Sequence, residues 1–222
     1  MKTRVACLAA ALSLAMLLPW DLVAQTARGT SLSREAAVRQ IESARPQQRV
    51  EALAALSRRG RMEDTELMAR RLQDQDDGVR DAAESALWIL WSRSGDAGID
   101  ALFKRGMEQM NPEQAEAAVA TFSEIIRLKP DFAEGWNKRA TLLFHLGRFQ
   151  ESLSDCDEVM RRNPHHFGAL AGYGQIFAHL QEYEKALEYF ERALRINPNM
   201  HGVKVNRELM RKLIAEKAGR AI

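Results

Sequence analysis

Cysteine and excess charge are both scarce in this chain. Of 222 residues only Cys7 and Cys156 carry thiols. Cys7 falls in an amino-terminal segment expected to be removed, so Cys156 remains alone and an intramolecular disulfide is excluded. The formal net charge is +2, and it drops to +1 when residues 1–24, with Lys2, Arg4 and Asp21, are taken away. A balance this near zero gives no general attraction for nucleic acid or anionic lipid. No Lys/Arg block is long enough for a nucleic-acid arm. A nucleophile elbow, a glycine-rich phosphate loop and a His-Glu-x-x-His run are all missing. Hence no catalytic residue and no cofactor is expected.

Long apolar runs are absent as well, with one exception. Lys2 and Arg4 precede an apolar run from Val5 to Leu18, which Pro19, Trp20 and Asp21 break. Its length of about 14 residues falls short of the roughly 20 that span a bilayer. A basic start, a short Leu/Ala-rich core and a small residue near the exit describe a secretory signal peptide over residues 1–24, cut between Ala24 and Gln25. An uncleaved anchor is the other reading. The mature chain is expected in the periplasm, without a membrane span, and residues 25–32 read as a disordered lead-in.

What the sequence does have is a period. Pro130, Pro164 and Pro198 are spaced 34 residues apart. Leu102, Trp136 and Leu170 keep the same step, as do Gly106, Ala140 and Gly174. So do Ala118, Ser152 and Ala186, then Phe122, Cys156 and Phe190, then Ile125, Val159 and Ala193. The first set supplies a bulky anchor on one helix. The glycine/alanine set lies one turn further on the same face and admits a close second helix. The small and aromatic sets belong to that second helix, and each proline ends it. Stacked helical hairpins follow from such a period.

These residues resemble the tetratricopeptide repeat. The middle copy carries Trp136, Ala140, Gly147, Phe149, Ser152 and Pro164, and the last carries Gly174, Tyr183, Ala186, Phe190, Ala193 and Pro198. The first copy departs from the pattern at Asn111-Pro112-Glu113, where the family often has glycine and an aromatic, so a differently shaped turn is expected there. The resemblance implies an all-α, right-handed α-solenoid with three hairpins over residues 97–200 and a concave ligand-binding face. Residues 201–222 are expected to form a capping helix, with Val205, Leu209, Leu213 and Ile214 on its apolar stripe.

Residues 33–94 suggest further helical pairs. Asp76 or Asp77 can cap a helix, and Val79, Ala82, Ala83, Ala86, Leu87 and Leu90 form a stripe at helical spacing. This resembles the second helix of a HEAT-like repeat. Arg49, Ala52, Ala55 and Leu56 repeat it faintly, 31 residues earlier. Trp88 lies off the stripe and is expected to be more exposed than Trp91. The joint over residues 92–98 is too short for a flexible tether, which predicts one continuous solenoid.

Members of the family that clamp a C-terminal carboxylate use lysine, asparagine and arginine on their first helices. The matching positions here hold Phe103, Met107, Lys138, Gly168 and Gly172, and only one is basic. That mode is excluded. Helical spacing turns Phe103, Met107 and Met110 of the first copy toward the concave face. Asn137, Thr141, Phe144 and His145 follow from the second, and Ala171, Gln175, Ala178 and His179 from the third. These form the expected partner-binding surface, although Phe103 and Met107 can equally pack between repeats. His145 and His179 stand one repeat apart, about 10 Å by helix packing, too far to share one zinc ion. Asp74, Asp76 and Asp77 lack the distal glutamate of a calcium loop, because Val79 opens a helix there. No metal is expected. The resemblance implies an exported adaptor or scaffold that binds a peptide or helix of a protein partner in its groove. The alternative is a regulatory or structural subunit of an envelope complex or enzyme that engages partners through its convex face.

Overall fold

The computed structural model describes residues 32–219. Residues 1–24, expected to be a signal peptide, and nearly all of the expected lead-in lie outside the described residues. Those described form eleven α-helices and no strand. The first part comprises α1 (Arg34–Gln40), α2 (Pro46–Arg59), α3 (Thr65–Ala69) and α4 (Asp77–Trp91). Short 3-10 turns, Met62–Asp64 and Arg70–Gln73, flank α3. The three hairpins are α5 (Ala97–Glu108) with α6 (Ala115–Leu128), α7 (Ala133–His145) with α8 (Phe149–Arg162), and α9 (Phe167–His179) with α10 (Tyr183–Ile196). The last helix is α11 (His201–Gly219).

The helix boundaries follow from capping chemistry. Asp76 accepts the Val79 amide at 3.0 Å, and Asp96 accepts those of Gly98 and Ile99 at 2.8 and 3.0 Å. Each satisfies donors that the first turn leaves free. Helices α6, α8 and α10 stop at Leu128, Arg162 and Ile196, shortly before Pro130, Pro164 and Pro198. The turn of the first hairpin does differ: Pro112–Gln114 is a 3-10 turn, with Asn111 accepting the Gln114 amide at 3.1 Å.

Two of the repeat columns are coupled across each hairpin. A Cβ on Gly106 would lie 2.7 Å from the Phe122 ring, and one on Gly174 would run into the Phe190 ring. The middle hairpin carries Ala140 instead, and there the second-helix residue is the smaller Cys156. Volume is thus conserved across the pair, as close packing requires. Burial pushes the Cys156 thiol up to about 12, so it stays protonated and inert.

Three expectations need correction. Trp136 is not a core anchor but a half-buried rim residue. Its indole N–H donates to the Pro130 carbonyl at 3.0 Å, and the Arg139 and Arg162 guanidinium groups stand 5.2 and 4.9 Å from its ring centre. On α11 the buried residues are Val203 and Met210, whereas Val205 is 55% exposed. Leu209 and Leu213 of the predicted stripe do pack against the third hairpin's core, so the correction is confined to Val205, whose place Val203 takes. Finally, α1–α4 do not continue the stack end to end. Their core, which contains Leu53, Leu56, Met68, Leu72 and Leu87, is completed by Phe167, with Ile196 and Met200 packed against it. Phe167 is the first residue of α9, Ile196 the last of α10, and Met200 lies just after it, so the amino-terminal part folds back across the stack.

Because the Gly174–Phe190 contact leaves no room, Gly174→Val should lower stability by about 1–3 kcal/mol, the usual penalty of overpacking. Urea unfolding of the full chain measures this. A change below about 0.5 kcal/mol, the range of indifferent surface substitutions, would show that the two helices are not in contact there.

Candidate functional site

The first helices α5, α7 and α9 carry the residues expected to meet a partner, and the structure divides them. Phe103 is buried against Phe122 and Phe132, with ring centres 5.8 and 5.5 Å away. Ala171 and Ala178 are buried in the core of the third hairpin. Asn137 is buried and donates to Glu134 at 3.1 Å. Phe103, Ala171, Ala178 and Asn137 are therefore packing residues, not an open surface. Met107 and Met110 are half-buried against the first core. Phe144 is half-buried among Phe149, His145 and His179. Thr141 and Gln175 are partly accessible, and His145 and His179 are exposed.

A stripe remains on each of two helices. Lys138, Thr141 and His145 follow one another at helical spacing on α7, and Gly168, Gly172, Gln175 and His179 do so on α9. The carboxyl-terminal ends of the two stripes are open. Their amino-terminal ends are covered by α4. Trp88 stands over Lys138, with the ammonium nitrogen 5.6 Å from its ring centre. A Cβ on Gly168 would lie 2.6 Å from the Trp88 ring edge, so only glycine fits beneath it. Trp88 is more exposed than Trp91, as expected, but it faces protein: Phe167 and His166 meet it edge-on at 5.3 and 5.4 Å.

Beneath the two tryptophans lies a buried polar cluster. Glu134 Oε1 accepts from Lys138 at 3.0 Å, and Oε2 meets His166 Nε2 at 2.9 Å. His166 is fully buried and stacks on Trp91, with ring centres 4.6 Å apart. Its Nδ1 accepts the Ala169 amide at 3.0 Å, which leaves the proton on Nε2 for Glu134. Burial alone would raise the Glu134 carboxyl, but Lys138 and His166 outweigh it and hold it down at about 2. The carboxylate is thus ionised across the physiological range.

This cluster was not singled out in the sequence. In the sequence Glu134 and Lys138 are four residues apart on one helix and His166 lies two residues after Pro164, which does not mark them as a buried site. Only the folding back of α4 buries them. The described residues hold no group of three or more His, Cys, Asp or Glu placed to bind a metal ion. A second cleft, of about 220 Å³, lies on the second-helix side between α6 and α8. Its Arg139 is held by Asp155 at 2.8 and 2.7 Å, and its Arg148 by Glu151 at 2.7 Å.

Replacing Glu134 leaves the Lys138 charge buried without a counter-ion. Glu134→Gln should therefore destabilise the chain by about 3–5 kcal/mol in urea unfolding at neutral pH. The folded carboxyl lies below its ordinary value, so its contribution is full above pH 4.5 and fades as pH falls toward about 2. The difference between native and variant chains should shrink over that interval. A difference that is small at pH 7, or independent of pH, would mean the pair is hydrated.

The comparisons with known proteins agree with this architecture. Residues 131–199 match the family model of the tetratricopeptide repeat. A TPR repeat-containing protein of Rhizobium etli is 34% identical over 133 residues, which are 60% of this chain and 65% of that protein. The Hsp70-Hsp90 organizing protein of Triticum aestivum is 27% identical over 96 residues, 43% of this chain and 16% of that protein. The chain thus spans less than two thirds of the length of the curated relatives it matches. Among solved structures, the first TPR of Spaghetti (RPAP3), bound to the HSP90 peptide SRMEEVD, superposes with a TM-score of 0.52 at 21% identity. The superposition covers 54% of this chain and 96% of that one, a likeness of fold. No described helix is long and apolar enough to cross a membrane. Residues 131–199 form a tetratricopeptide repeat domain, set within an all-α repeat solenoid.

Proposed function

We propose that the protein is an exported interaction adaptor whose first helices α5, α7 and α9 receive a segment of a protein partner. The observation that carries this reading is the open, mixed surface at the carboxyl-terminal ends of α7 and α9. There Thr141, His145, Gln175 and His179 are accessible on α7 and α9, Phe144 meets His145 and His179, and Met107 on α5 is half-buried against its own hairpin. Aromatic and methionine side chains supply adaptable apolar contact, and the polar groups fix register. Tetratricopeptide domains among the similar proteins include one solved with a peptide of HSP90. A carboxylate clamp of the type excluded above is not the mode here, since Lys138 is already paired with Glu134 and Gly168 lies under Trp88. Export to the periplasm rests on the basic and apolar pattern of residues 1–24.

A second reading has a specific observation in its favour. Because α4 covers part of the first-helix face, a structural or regulatory subunit that engages partners through the second-helix side would lose nothing by that coverage.

The two readings separate on substitution. Thr141→Arg with Gln175→Arg puts bulk and charge on the open stripes without touching a buried group. Helical content and melting temperature should stay near native. Capture of the partner, identified by affinity purification of the mature chain from its native host and mass spectrometry, should fall about tenfold or more, as loss of a binding hot spot does. Unchanged capture with intact folding would move the site to the second-helix side.

A further inference from the structure

The placement of Trp88 has a consequence for the stripes themselves. Lys138 and Thr141 are three residues apart on α7, and Gly168, Gly172 and Gln175 are likewise aligned on α9. Trp88 occupies the start of both, over Lys138 and Gly168. The surface open to a partner is the remainder of a longer one.

The contact that closes it differs from a helix-packing core. Under the Trp88 and Trp91 rings lie an ion pair, an amide and an imidazole: Glu134 with Lys138, Asn137 and His166. Charged and polar groups regain hydration when such a contact opens, which apolar side chains do not. Outside this cluster the two parts share the apolar contacts of Ile196 and Met200, a polar contact between Glu84 and Asn197, and two further bonds. Gln73 donates to the Arg195 carbonyl at 3.0 Å, and Asn199 donates to the Leu72 carbonyl at 2.8 Å. Phe167 and His166 are fully buried rings that meet the amino-terminal tryptophans.

The amino-terminal part, by contrast, is firmly bound to itself. Trp91 donates to Thr65 at 3.2 Å, Arg49 pairs with Asp74 at 2.6 Å, and Arg93 Nη2 donates to the Gly60 carbonyl at 2.7 Å. The tie at Arg93 fixes the end of that unit, while the Ser94 amide donates to Asp100 at 2.8 Å and Asp96 caps α5, so the bend is confined to Gly95. Gly95 is exposed at φ +79, with open space where a side chain would be. A rigid unit, a short bend with a glycine in the left-handed region, and a hydratable interface are the parts of a hinged cover.

We propose that α1–α4 act as a hinged cover of the first-helix face, closed by Trp88 over Lys138 and Gly168, so that a partner entering the full face competes with α4. This rests on the reading that the first-helix face is where partners bind. In the closed state a ligand reaches only the Thr141, Gln175 and His179 end. On opening, Lys138 and Glu134 become available and the stripes run the full length of α7 and α9.

The test uses the full chain without any partner. Gly168→Ala places a methyl group against the Trp88 ring from the opposite side of the contact. Hydrogen exchange of the Trp88 indole, followed by NMR, should quicken by about tenfold or more, while the Trp91 indole and the amides of α2 keep their native rates. That pattern is release of an intact unit. If Trp91 and α2 lose protection together with Trp88, or if no rate changes, the cover does not exist. A measurement on the unaltered chain guards against misfolding of the variant. In rising urea, Trp88 exchange should become visible well before that of residues 53–56. Coincident onset would overturn the proposal. Neither result involves a partner, so failure of partner capture and failure of the cover are told apart.

Discussion

Phe167 opens the third hairpin, yet its ring lies in the core of the amino-terminal helices. It is fully buried there, 5.2 Å from Trp91 and 5.3 Å from Trp88. Everything about the relation of the two parts follows from this insertion. With Phe167 fixed, the residue before it, His166, is drawn under Trp91, and Glu134 and Lys138 are sealed beneath Trp88. The amino-terminal helices then lie across the stack instead of extending it. Burial of one such ring stabilises the arrangement by about 1.5–3 kcal/mol. Desolvation of the Glu134–Lys138 pair opposes it.

The repeat itself rests on a simpler constraint. In each hairpin a second-helix side chain fills the space that a first-helix residue vacates: Phe122 over Gly106, Cys156 opposite Ala140, Phe190 over Gly174. This exchange of volume lets the two helices of a hairpin approach, and the 34-residue step turns into a stack. Prolines follow the second helices, and Ser33, Asp76, Asp96 and His166 cap the starts of α1, α4, α5 and α9, so these ends are set by local chemistry and the spacing by packing.

Most of the fold was legible from these rules. The hairpins, their prolines, the caps at Asp76 and Asp96 and the unusual turn at Pro112 are local events, encoded within a few residues of where they act. The candidate surface was legible only in part. Helical spacing named the correct helices, but it could not tell Phe103, which meets Phe132 across a repeat boundary, from Thr141, which meets solvent. Trp136 likewise occupies the anchor column while Arg139 and Arg162, from the same hairpin, hold it at the rim. The seat of Trp88 was illegible for a different reason. It joins residues 88, 138 and 166, and no periodicity relates α4 to α7. A glycine at 168 was its one trace in the sequence, and that residue also fits ordinary helix packing.

The accessible first-helix face is therefore the product of two layers. The tetratricopeptide hairpins supply stripes of accessible residues on α7 and α9, and the amino-terminal helices decide how much of each stripe is reachable. The distance between the Trp88 indole and the α7–α9 surface tests that account most directly. Nuclear Overhauser contacts in the free, full-length chain should connect the Trp88 ring to the Gly168 α-protons and the Trp91 ring to His166. Absence of both contacts, in a chain whose hairpins and amino-terminal core are each folded, would contradict it.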